Sequence, residues 1–149
     1  MFLRRYKFSL LIVCAILYLS FFTPPQTDLG EITNFDKFVH FSMYFGFTGI
    51  IWLEYAIAHG MLRRRSKKNT DEKDVFDDSS RPAPSLPKLL SFGWLGPIAL
   101  SGLIELGQAY LTTTRSGEWL DFLANSLGAT AAVLVASTIL LLLKRKRIQ

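Results

Sequence analysis

The chain has 149 residues, half of them hydrophobic, with a formal net charge of +5 and one cysteine. That length holds one domain at most. A single cysteine excludes an intramolecular disulfide framework, and the arrangement of the apolar residues argues against a soluble globular core. Four blocks, about 8–22, 38–58, 89–111 and 122–143, are nearly free of charge. Most approach the roughly 20 residues that cross a bilayer as a helix, and none carries the continuous polar stripe of a soluble amphipathic helix. The expectation is an all-α fold, a polytopic membrane protein built as a four-transmembrane-helix bundle. Its helices are expected near 6–22, 36–58, 89–111 and 120–143.

The first helix follows Arg4, Arg5 and Lys7 and stops at Pro24-Pro25. A basic start before an apolar run also fits a signal peptide. No small-x-small cleavage site follows, so an uncleaved helix is expected, extended at its start by the snorkelling side chains of Tyr6 and Lys7. Cys14 lies mid-helix behind the bulky Val13. An ordinary buried cysteine is expected there rather than a lipidated one.

The second helix opens with Asp36-Lys37-Phe38-Val39-His40. Asp36 and His40 are i,i+4 and share a face, which Tyr44 and Thr48 continue. Glu54, near the far end, reads as an interfacial carboxylate reaching toward the basic cluster that follows. His59 reads as interfacial too.

Residues 60–88 form a linker with eight basic and five acidic residues and three prolines. This composition has no apolar face to bury. The run Arg63–Lys68 could in principle meet nucleic acid, but beside a membrane helix it reads as a topology and lipid-headgroup signal. No nucleic-acid partner is expected.

The third helix contains Gly93, Gly96, Pro97, Gly102 and Gly107, so a kink at Pro97 and close helix approach are expected. It ends with Glu105 and Gln108, i,i+3 on one face. Arg115 lies in the short polar loop beyond. Asp121 and Asn125, i,i+4, open the fourth helix, in which Ala124, Gly128 and Ala132 form a small-xxx-small ridge. The chain ends in Lys144-Arg145-Lys146-Arg147.

Basic residues crowd three segments: three before the first helix, eight in the linker and four at the end, while the other two loops hold Lys37 and Arg115. The positive-inside rule then puts both termini and the linker in the cytoplasm. Asp36, His40, Glu105, Gln108, Arg115, Glu118, Asp121 and Asn125 fall together at the outer side. Glu105 is the deepest, about 9 Å below the helix end at ~1.5 Å per residue. Burial disfavours a lone carboxylate, and Arg115 is its expected counter-ion.

An ionisable group at membrane depth is costly and by default functional. Three readings of the cluster stay open: a hydrogen-bonded packing network, a cleft for an envelope lipid or glycoconjugate headgroup, and a catalytic centre. A metal held by Asp36, His40 and Glu105 is the sharpest form of the last. Without a recognised ligand motif the expectation is no metal and no cofactor.

Asp36-Lys37-x-x-His40-Phe41-x-x-Tyr44, Glu105-x-x-Gln108, Arg115 and Asp121-x-x-x-Asn125-x-x-Gly128 resemble the VanZ-like family of small bacterial membrane proteins. The resemblance covers the chain apart from the charged linker. It implies a four-helix integral membrane protein of the bacterial cytoplasmic membrane and a cell-envelope role, the namesake being associated with reduced sensitivity to the glycopeptide teicoplanin. The expected function is engagement of an envelope lipid or glycopeptide-like ligand. The alternatives are a membrane enzyme acting on a lipid-linked substrate through the same residues, and a small assembly factor using the fourth-helix ridge. The expected partners are the lipid bilayer and the ligand, with a homo-oligomer left open.

Overall fold

The computed structural model describes residues 5–22, 35–62, 84–111 and 118–145, and among them every regular element is helical. The helices are α1 (Lys7–Phe21), α2 (Phe35–Ala58), α3 (Leu86–Leu111) and α4 (Trp119–Arg145). Helices α2, α3 and α4 are each long and apolar enough to cross a membrane. With 15 residues, α1 is about 22 Å long at ~1.5 Å per residue, short of a hydrocarbon core of about 30 Å. Large apolar side chains such as Leu11, Phe38, Leu103 and Leu134 are exposed. A soluble monomer does not tolerate that much contiguous apolar surface, whereas lipid does.

The boundaries lie within a few residues of those expected, with one physical exception. Helix α3 starts at Leu86, inside the expected linker, because Pro87 stands in its first turn. There the missing N–H would have had no partner anyway. The rest of the linker, from residue 63 to 83, lies outside the described residues. Helix α2 closes through Gly60, whose φ of 66° is left-handed, while the Met61 N–H returns to the Ala56 carbonyl at 2.9 Å. Glycine takes that conformation without a Cβ clash.

Pro97 disturbs the helix through a particular device. It cannot donate to the Gly93 carbonyl one turn earlier. The helix widens there into a π-turn over Ser91–Leu95, with the Gly96 N–H reaching back to the Ser91 carbonyl. The Gly93 carbonyl takes the Trp52 indole N–H instead, at 3.0 Å. A Cβ on Gly93 would stand 2.7 Å from the Trp52 Nε1, so the glycine makes room for the substitute donor.

Helix α4 packs mainly against α2 and also against α3, while α1 lies against α2 and α3. Ala124, Gly128 and Ala132 are all buried. A Cβ on Gly128 would come within 2.2 Å of the Phe41 carbonyl oxygen. The ridge is therefore used inside the chain, against the backbone of α2. The close helix approach expected of it is thus made within the chain.

Two further expectations are corrected. Cys14 is exposed, because the face of α1 turned to α2 and α3 is carried by Ile12, Val13 and Ile16 instead. Glu54 is buried and is held within the bundle at the start of α1. Its carboxylate accepts the backbone N–H groups of Phe8, at 3.0 Å, and Ser9, at 3.1 Å, and the Ser9 hydroxyl. Tyr6, which precedes α1, supplies no side-chain cap. A helix start in an apolar setting must satisfy its orphan donors, and Glu54 does this from α2, its charge matched to the positive end of the α1 dipole. His59 stacks on Tyr55 at a ring-centroid distance of 3.8 Å.

Candidate functional site: a charged cluster at one end of the apolar helices

The first turns of α2 and α4 lie side by side. Lys37 from α2 donates to Asp121 and, at 2.7 Å, to Glu118, both from the α4 side. It also donates to its neighbour Asp36 at 3.1 Å. One ammonium thus serves three carboxylates, filling the three donors it has. Asp36 and Glu118 are open to solvent, with side chains 62% and 52% exposed, whereas the Asp121 side chain is 11% exposed.

One turn further in, His40 faces the same pair of helices. Its Nε2 stands 3.5 Å from Asp121 Oδ2 and 3.7 Å from Asp36 Oδ1. Its Nδ1 lies 3.2 Å from Asn125 Oδ1. The Asn125 amide nitrogen donates to Ser101 on α3 at 2.8 Å, which leaves the amide oxygen turned to the imidazole. A carbonyl oxygen only accepts, so the proton sits on His40 Nδ1. In the neutral ring Nε2 then carries a lone pair, directed toward the two carboxylates.

Tyr44 continues the α2 face inward. It is 1% exposed, and its hydroxyl and that of Thr48 find no hydrogen-bond partner among the described residues. Glu105 reaches α4 by another route. Its carboxylate accepts the Glu118 backbone N–H at 3.1 Å, at the start of α4. Like Glu54, it answers a helix N-terminus from a neighbouring helix. Gln108 turns aside from the cluster and donates to the Ser20 carbonyl of α1 at 2.8 Å.

The structure therefore brings together Asp36, His40, Asp121 and Asn125, attaches Glu105 to their edge and places Gln108 against α1. Arg115, the expected counter-ion of Glu105, lies outside the described residues. The donor trio weighed from sequence, against an expectation of no metal, was Asp36, His40 and Glu105. In the fold the third carboxylate beside His40 is Asp121, since Glu105 is engaged at the α4 start.

Three members were not among the expected site residues. Lys37 is the cation of the cluster, paired with Asp36, Glu118 and Asp121 rather than with Glu105. Ser101 holds Asn125, and Glu118 completes the lysine's shell. Two of these had a signal: Ser101, Glu105 and Gln108 fall at i, i+4 and i+7 on α3, and Glu118 and Asp121 are i,i+3. Lys37 had none beyond its sign, because its reach across to α4 depends on helix packing. Compared with protein-family models, with curated proteins and with solved structures, the chain matches none.

Proposed function

We propose that this chain is a VanZ-like integral protein of the bacterial cytoplasmic membrane. In this reading all four helices cross the bilayer, α1 being completed by Tyr6 and Lys7, with both termini in the cytoplasm. Its cluster engages the headgroup of an envelope lipid or a glycopeptide-like ligand at the outer leaflet. The observation that carries the reading is the gathering of Asp36, Lys37, His40, Glu118, Asp121 and Asn125 at one end of otherwise apolar helices. Its two outer carboxylates remain exposed. A network serving packing alone would be expected to be closed and fully satisfied.

One observation favours a second reading, a membrane enzyme. His40 is anchored through Nδ1 and keeps Nε2 beside the open side of the cluster, the arrangement a general base needs.

Asp36→Asn separates function from packing, because the exposed Asp36 side chain contributes little to burial. In a bacterial host expressing the chain, the variant is expected at normal membrane abundance with the change in glycopeptide sensitivity lost. An unchanged envelope phenotype at unchanged abundance would contradict the reading.

A further inference from the structure

We propose that Asp36, His40 and Asp121 bind a divalent cation of the zinc type, through Asp36 Oδ1, His40 Nε2 and Asp121 Oδ2. Each residue offers one ligand atom, the three lying within 4.8 Å of one another, and the two oxygens named are those nearest His40 Nε2. The proposal departs from the expectation set by the sequence. The trio there included Glu105, whereas the fold supplies a different and better-placed carboxylate.

Four features of the site support it. The first is spacing. Nε2 stands 3.5 Å and 3.7 Å from the two carboxylate oxygens, long for a direct hydrogen bond. With metal–ligand bonds of about 2.0–2.1 Å, two ligand atoms of a tetrahedral zinc stand roughly 3.4 Å apart. The second is the division of the oxygens. Lys37 takes Asp36 Oδ2 and Asp121 Oδ1, and the oxygens turned to His40 are the other two. The lysine therefore holds both carboxylates in place without occupying the ligand positions.

The third is the orientation of the ring. Asn125, itself fixed by Ser101, faces Nδ1 with its amide oxygen and so leaves Nε2 as the ring nitrogen on the carboxylate side. A hydrogen bond to the distal ring nitrogen is the usual support of a ligating histidine. The fourth is charge. Asp36, Glu118 and Asp121 around one ammonium leave two net negative charges, which a divalent cation cancels. The imidazole donor favours zinc and its neighbours over calcium or magnesium. The exposed side of Asp36 leaves a coordination position open to water or to a ligand oxygen.

The test uses the untagged full chain purified in detergent, dialysed against Zn²⁺ and assayed for bound metal by mass spectrometry. About one equivalent is expected, retained in Cys14→Ser, which removes the one thiol. His40→Gln and Asp36→Asn should each weaken binding by at least about tenfold, and Asn125→Ala by about 10–100-fold as a positioning residue. The exposed Asp36 makes Asp36→Asn the variant that keeps its fold, checked by size exclusion. No zinc on folded wild-type protein would overturn the proposal, as would unchanged affinity in folded Asp36→Asn. So would imidazole nitrogen resonances showing His40 protonated on both nitrogens in zinc-loaded protein, since an imidazolium cannot ligate. Metal content is read on isolated protein, so failure of the envelope reading leaves this result standing, and the reverse holds.

Discussion

Gly128→Ala is expected to lower the stability of the protein by about 3 kcal/mol, the upper range for an overpacked interface, and to part His40 from Asn125. The added Cβ would lie 2.2 Å from the Phe41 carbonyl oxygen and 3.1 Å from the Phe41 Cα. These are backbone atoms, which cannot rotate aside as a side chain can, so α2 and α4 must separate. Phe41 adjoins His40, and Gly128 lies one turn from Asn125. The separation is therefore applied at the 3.2 Å contact between the imidazole and the amide. Thermal unfolding in detergent reads the loss of stability. Gly46→Ala and Gly49→Ala are the controls, since a Cβ at either position on α2 meets nothing within 4 Å. Equal unfolding midpoints for Gly128→Ala and Gly46→Ala would contradict the close crossing.

Glu54→Ala is expected to destabilise the protein by a similar amount, about 2–4 kcal/mol, while the charged cluster keeps its own contacts. The substitution strips acceptors from two backbone donors and one hydroxyl at the start of α1. Hydrogen bonds to a charged group contribute roughly 1.5–3 kcal/mol each, and buried donors left without a partner add their desolvation penalty. Glu54→Gln keeps one oxygen and replaces the other with a donor facing donors, so an intermediate loss is expected. Ser9→Ala removes the hydroxyl alone and should cost least. Protease sensitivity of the chain around α1, measured beside global unfolding, checks the order. A Glu54→Ala protein as stable as wild type would show that α1 finds its cap elsewhere.

The polar pairs of the cluster were legible before the fold was known. Asp36 with His40 and Asp121 with Asn125 are i,i+4 pairs at the starts of apolar runs, and the asymmetry of basic residues put both starts on one side. The small residues of α4 signalled a close approach, and the fold shows that the neighbour is the α2 backbone at Phe41. Glu54 was not legible. Its position next to a basic segment suggested an interface, whereas its partner is the start of a helix about 46 positions earlier in sequence, and nothing in local spacing marks such a pairing. Lys37 was obscured for a related reason. A flexible side chain beside Asp36 reads as a local ion pair, and only the crossing of α2 and α4 brings Glu118 and Asp121 within its reach. Pro97 announced a disturbance in α3 but not its form, because the replacement donor comes from Trp52 on another helix.

The central claim is that this cluster opens on the outer face of the membrane. The direct measurement is labelling of a cysteine placed in the cluster, in a Cys14→Ser background so that no other thiol reacts. Asp36→Cys is suited to it, the Asp36 side chain being 62% exposed. In intact cells a membrane-impermeant maleimide is expected to label this variant as fully as it does after permeabilisation. Labelling that requires permeabilisation would put the cluster on the cytoplasmic side and contradict the account.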